Sequence, residues 1–299
     1  MKVRCLQTIG QGYFEEVEYD KPDPADTEIE VKTLMTGVCR SDIDMMRGDF
    51  GPLPLHMQGH EGLGVVTRVG EKIVGVASGM IVATRGEPAY ADMYNVRADE
   101  FVVVPEADPR YILEPVACGI NIVDQCYNHI SEKHKSGGKI LILGSGFLAW
   151  VAYHTLTKKI PGCNVDVLGA SNTELWGAKL LMATNDSYDV IIDLSGKYEL
   201  GTDINLNNEA VIIDAVGKTI NKTEAEHLLW RACATFRPSP RTSGFRYCME
   251  TARDYIENGY VNVDNFWSKC YNRDVEWQQA FVDGANRPEG YSRGYIKWL

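Results

Sequence analysis

The sequence predicts an α/β protein in two parts: a β-rich part, and a doubly wound parallel sheet with helices on its faces. Three observations lead there. The first hundred or so residues carry short apolar runs bounded by glycine, proline or charge, as strands do. After Ser136-Gly-Gly138, strand-like and helix-like runs alternate, which implies parallel strands joined by helices. The chain has 299 residues, which is two domains at about 150 residues each.

Each element follows from its own residues. Glu28–Lys32 alternates polar and apolar residues, the pattern of a half-buried strand. Gly62–Val66, Ile81–Ala83 and Phe101–Val104 read as further strands. From Glu114 to Ser131 apolar residues recur at helical spacing, with Pro115 at the start, where proline is tolerated. Lys139–Leu143 is a buried strand, Phe147–Thr157 a helix, Val165–Leu168 a strand and Thr173–Ala183 a second helix. Val190–Ile192 and Val211–Ile213 are further strands. The stretch from Lys197 to Asn208 between them is short and polar, so a crossover helix is expected to be shortened or lost there. Phe245–Asn258 has helical spacing, and Gly294–Trp298 reads as a closing strand.

Composition narrows the function. Thirty basic against forty-one acidic residues give a formal charge of −11. Nucleic-acid and anionic-membrane binders need a positive field, so neither partner is expected. No run approaches the ~18 apolar residues of a spanning helix, and the first residues lack a signal peptide's apolar stretch. A cytoplasmic protein is expected. The eight cysteines form no C-x-x-C pair, so a zinc ribbon is not expected, and dispersed cysteines are ordinarily small buried hydrophobes.

Gly144-Ser-Gly146-Phe-Leu-Ala149 follows a strand and opens a helix, and fits G-x-G-x-x-A. Gly144 makes the tight turn. Gly146 lets backbone approach a pyrophosphate, and Phe147, Leu148 and Ala149 form the helix end whose dipole favours it. Glycines are common at such turns; the strand before and the helix after carry the reading. NAD sites usually place Asp or Glu at the end of the second strand for the ribose. Gly169 stands there, followed by Ser171 and Asn172, which leaves room for a 2′-phosphate. NADP(H) is therefore expected over NAD(H).

Cys39 in Gly37–Asp42 and His60 in Gly59–Gly64 offer thiolate and imidazole, and Glu114 a carboxylate at a helix start. Such groups hold catalytic zinc, which takes three of them plus water. Each alone has a plainer explanation: a core cysteine, a structural histidine, an acid favoured at a helix N-terminus. Spacing alone does not decide between these.

Wording does more. Gly37-Val-Cys39-Arg40-Ser41-Asp42 and Gly59-His60-Glu61 with Gly64 resemble the first- and second-ligand segments of the zinc-dependent medium-chain dehydrogenase/reductase family, the alcohol and polyol dehydrogenases. Ala89–Tyr94 with Val102–Pro105 looks like the strand pair that follows, and Glu114-Pro115 like the third-ligand position of polyol dehydrogenases. The resemblance covers nearly the whole chain, in the family's order. It implies a GroES-like catalytic domain over 1–116 and 256–299 and a Rossmann domain over 117–255. It implies one zinc held by Cys39, His60 and either Glu61 or Glu114. Ser41 would pass the alcohol proton, and Asp42 would orient His60. Arg40 and Arg293 would contact the cofactor pyrophosphate. The implied activity is hydride transfer between NAD(P) and a secondary alcohol or polyol or its carbonyl partner, in a homodimer joined near Ala232–Pro238. Two departures matter. Asp44 stands where the family often has a relay histidine, and the four-cysteine loop of a structural zinc is missing. A zinc-free reductase and a non-catalytic, cofactor-binding member therefore stay open. The remaining histidines, His56, His129, His134, His154 and His227, show no constellation.

Overall fold

The structure, a computed structural model, describes residues 1–51, 58–217, 232–239 and 244–298. His56 and His227 lie outside the described residues. The chain divides into two compact units, Met1–Ala117 with Ser243–Leu299, and Cys118–Thr242.

The first unit is β-rich. Strands β1 (Lys2–Gln7) and β2 (Glu15–Asp20) form an antiparallel pair. The main sheet is built around β3 (Glu28–Gly37), with β4 (Gly62–Val69), β5 (Ile81–Thr84), β6 (Met93–Arg97) and β7 (Phe101–Val104). The late strands β14 (Trp267–Asn272) and β15 (Arg293–Lys297) join it, giving the order β14-β15-β3-β4-β5-β7 with β6 also on β3. The family-like strand pair is thus two strands that do not pair with each other: β6 lies on β3 and β7 on β5. Ile29 and Val31 of β3 are buried with Val66, Val82, Tyr94 and Phe101. The opposite face is not the solvated one that alternation suggests. Glu30 is buried as well, paired with the equally buried Lys21 at 2.6 Å and accepting from Thr67 Oγ1 at 2.8 Å.

Among the described residues, three α-helices lie wholly in this unit. Helix α1 (Arg40–Met46) follows β3 directly. Helices α5 (Phe245–Glu257) and α6 (Trp277–Asn286) lie late in the chain, and Phe281 of α6 joins a second core of Leu6, Phe14, Ile43 and Tyr90.

Helix α2 (Glu114–Lys135) leads the chain into the second unit. There β8 (Ile140–Leu143), β9 (Val165–Leu168), β10 (Leu180–Leu181), β11 (Ser187–Asp193), β12 (Asn205–Asp214) and β13 (Ala232–Phe236) form one parallel sheet. Its order is β10-β9-β8-β11-β12-β13. Numbered from the first strand this reads 3-2-1-4-5-6, the Rossmann order. Ile122, Val123, Cys126 and Ile130 of α2 pack with Ala149, Ala152 and Leu156 of α3 (Phe147–Lys159) on one face.

One expectation needs correction. The helix expected over Thr173–Ala183 is one turn, α4 (Thr173–Trp176), and a short 3-10 segment. Gly177 at φ +55° turns the chain there, and Leu180–Leu181 pair with Val167–Leu168 instead of coiling. Between β11 and β12 the crossover helix is absent, in keeping with the polar stretch. Leu200, Ile204 and Leu206 cover the strand residues Leu141, Leu143, Ile191 and Ile212 in its place.

Candidate active site

The first unit gathers the proposed metal ligands where β3 runs into α1. Cys39 is the residue before α1, in extended backbone at φ −82° and ψ 154°. Glu61 enters from the start of β4 and is fully buried. Gly37 makes that possible: a Cβ at Gly37 would lie 2.0 Å from Glu61 Oε2. The donor atoms of Cys39, His60 and Glu61 all lie within 4.8 Å of one another. Among the described residues this is the metal-like group, and Glu114 stands outside it. Glu114 is buried with its carboxylate 3.8 Å from Arg85 Nε.

Asp42, also fully buried, faces the group from α1. Its Oδ2 accepts from the Cys39 N–H at 2.9 Å and from the Tyr90 hydroxyl at 2.6 Å, while Oδ1 stands 3.5 Å from His60 Nδ1. Ser41 Oγ lies 3.5 Å from His60 Nε2. Burial opposes a charge on His60, yet the Asp42 and Glu114 carboxylates hold its imidazole well above its ordinary value. Burial, and next the Glu61 carboxylate, push the Cys39 thiol up. Such a thiol becomes a thiolate against a cation.

The two arginines assigned to a pyrophosphate are engaged within this unit. Arg293 donates to Glu61 Oε1, and Arg40 holds Asp44 at 2.9 Å across one turn of α1. Glu61 Oε2, buried, has no hydrogen-bond partner. Thiol, imidazole and an unsatisfied carboxylate oxygen converge, and this donor set fits zinc. Sequence reasoning missed Tyr90 and Arg85. Tyr90 was read only as part of a strand. Arg85, a cation directly after the buried run Ile81–Thr84, was the available signal for a buried acid nearby.

In the second unit the chain leaves β8 through Gly144, at φ +110°, and enters α3 through Gly146. A Cβ on Gly146 would meet nothing within 4 Å, so the backbone there is open to a ligand. Phe147 and Ala149 are buried beneath the turn, and Leu148 is half-buried. Ser145 ties the two loops together. Its Oγ accepts the Ser171 N–H at 2.9 Å, and its carbonyl accepts from Asn172 Nδ2 at 2.9 Å and Trp176 Nε1 at 3.0 Å. Gly169 also has a packing reason to be small: a Cβ there would lie 2.5 Å from Ser145 Oγ.

Residues 25–108 match the alcohol dehydrogenase GroES-like domain. Over 81 residues the chain is 41% identical to an alcohol dehydrogenase of Moraxella sp. (strain TAE123), covering 26% of this chain and 24% of that protein. The chain spans between 21% and 46% of the length of the curated alcohol dehydrogenases it matches. Whole-chain likeness comes from structure. A thermostable alcohol dehydrogenase from Pyrobaculum aerophilum superposes with a TM-score of 0.75 at 18% identity, covering 100% of both chains. S. aureus TarJ in complex with NADPH does so at 0.74 and 15% identity, again over 100% of both. At such identities the likeness is one of fold.

Proposed function

We propose, for a chain that joins the alcohol dehydrogenase GroES-like domain to the two-part fold of the medium-chain dehydrogenases, a zinc-dependent oxidoreductase. It would transfer a hydride reversibly between NADP(H) and a secondary alcohol or polyol or its ketone or aldehyde. The observation that carries this is the convergence of Cys39, His60 and Glu61 beside the buried Asp42.

Cys39, His60 and Glu61 would hold one zinc, with Glu114 as the alternative third ligand. Zinc supplies Lewis acidity toward a substrate oxygen, and the nicotinamide supplies the hydride chemistry. The chain's own residues do the rest. Asp42 fixes the orientation of His60 through its Oδ1. Ser41 takes the hydroxyl proton. Asp44 is the proposed onward relay, and its carboxylate must first leave Arg40. Gly144 and Gly146 present backbone to the pyrophosphate. Arg40 and Arg293 would contact that group with guanidinium N–H groups other than those that Asp44 and Glu61 accept. The lack of an acid at Gly169 and the NADPH bound by TarJ support NADP(H). Ser171 and Asn172 would flank the ribose. The edge position of β13 supports a homodimer through that strand. No helix of the described residues is long and apolar enough to cross a membrane, in keeping with a cytoplasmic setting.

One observation favours a second reading. Arg293 already neutralises Glu61, as a zinc-free or non-catalytic cofactor-binding member would need. Elemental analysis of native protein beside Cys39→Ser and His60→Ala separates the two. About one zinc per chain, lost in both variants together with turnover while NADPH still binds, is the expected result. No zinc after repletion would reject the first reading.

A further inference from the structure

Tyr90 has no part in the chemistry proposed above, yet it touches both segments that carry the ligands. Its ring packs against Gly59, the residue before His60: a Cβ at Gly59 would lie 2.6 Å from the ring's Cγ. Its hydroxyl reaches the other segment, 2.6 Å from Asp42 Oδ2 and 3.0 Å from the Gly37 carbonyl. The single phenolic proton goes to the carboxylate, the stronger acceptor at the shorter distance.

The ring has little freedom. Phe14 and Phe281 stand edge-on to it, with centroids 5.9 and 5.4 Å away, and it is fully buried. The Leu6 N–H holds its carbonyl at 2.8 Å. The hydroxyl is therefore a fixed donor. A carboxylate is a rigid planar fork, so two donors on Oδ2 decide where Oδ1 points. Here they point it at His60 Nδ1.

The geometry points to Tyr90 as a positioning residue for the metal site. Its hydroxyl clamps Asp42, and Asp42 in turn fixes the ring orientation and tautomer with which His60 meets a metal. Such outer partners of a ligating histidine commonly change metal affinity ten- to a hundredfold. The assignment rests on the metal reading of Cys39, His60 and Glu61.

The test uses the full chain loaded with Co²⁺, whose absorption reports thiolate ligation. Tyr90→Phe removes the hydroxyl and keeps the ring. Co²⁺ is expected to bind once per chain with its thiolate band, but to leave to a chelator at least about tenfold faster than from the wild type. The thermal midpoint of the metal-free protein should stay within a few degrees. Asp42→Asn should also release faster, and adding Tyr90→Phe to it should change the rate less than about twofold, because the hydroxyl acts through the carboxylate. Wild-type release from Tyr90→Phe, or independent effects in the double variant, overturns the assignment and leaves the metal site standing. A Tyr90→Phe chain that does not fold overturns it too, since the hydroxyl then serves the fold. If the wild type takes up no Co²⁺, the metal reading itself fails and the assignment falls with it.

Discussion

A methyl group at Gly37 would occupy the place of Glu61 Oε2. Gly37→Ala therefore tests the site without replacing a ligand. The carboxylate must turn away from Cys39 and His60, or β3 must shift. We expect zinc per chain to fall below about half and kcat/KM to fall at least about a hundredfold, for an overpacking cost of only about 1–3 kcal/mol. Elemental analysis, steady-state rates and urea unfolding read the three quantities. Full occupancy with unchanged rates would show that Glu61 is not needed in its present position. At this scale the sequence told which residue types could meet, because Cys39, His60 and Glu61 lie in short recognisable segments. It did not tell their partners. Arg293 is more than two hundred residues from Glu61 in the chain, and Arg85, just past β5, reaches Glu114 at the start of α2; only the folded unit brings them together.

Glu30 of strand β3 pairs with Lys21, just past β2, and both are nearly excluded from water. Burial raises the Glu30 carboxyl, but the hydrogen bonds from Lys21 and Thr67 and the charges of Lys21 and Arg68 outweigh it, so the carboxyl is lowered. The sign follows: the folded state favours the ionised form. This stabilisation is complete above the ordinary carboxylate value, about 4.3, and is lost as pH falls through the lowered folded value. Glu30→Gln should cost about 3–5 kcal/mol at pH 7, because it leaves the Lys21 ammonium buried without a counter-charge. The cost should shrink as pH falls below the ordinary carboxylate range and through the lowered folded value, where the wild-type carboxyl is protonated too. A wild-type-minus-variant difference in urea unfolding that is flat across this range would reject the account. Alternation had suggested a wet face for this strand, because period two reports side-chain direction and not what covers it. The dinucleotide turn shows the same limit. Its glycine pattern was legible, while the clamp of Ser145 on Ser171 and Asn172 was not. Gly169→Asp is consequently expected to loosen that clamp and weaken binding of NADPH and NADH alike by at least about tenfold, instead of creating an NAD site. A fluorescence titration showing tighter NADH binding would reverse this.

Across the whole molecule, the parallel sheet with helices on its faces followed from alternating β and α runs. The late strands β14 and β15 were harder to place. Strand β15 pairs with β3 in the first hundred residues and β14 joins through β15, and a local pattern carries no record of a partner that far away. The two compact units have separate cores; the proposed zinc-binding residues belong to the first and the glycine turn to the second. Zinc would bind within Met1–Ala117 and the pyrophosphate turn lies within Cys118–Thr242. A ligand at about a hundred times its Kd stabilises the unit that binds it by about 2.7 kcal/mol. That corresponds to a shift of several degrees for a unit of this size. Calorimetry should therefore show two transitions. A chelator should lower chiefly the transition of the unit that holds Cys39, His60 and Glu61, and NADPH should raise chiefly that of the unit that holds Gly144 and Gly146. Cys39→Ser should abolish the chelator's effect and keep that of NADPH. A single transition moved by both ligands would mean that the units unfold as one body, and that metal and cofactor are linked through the fold instead of bound independently.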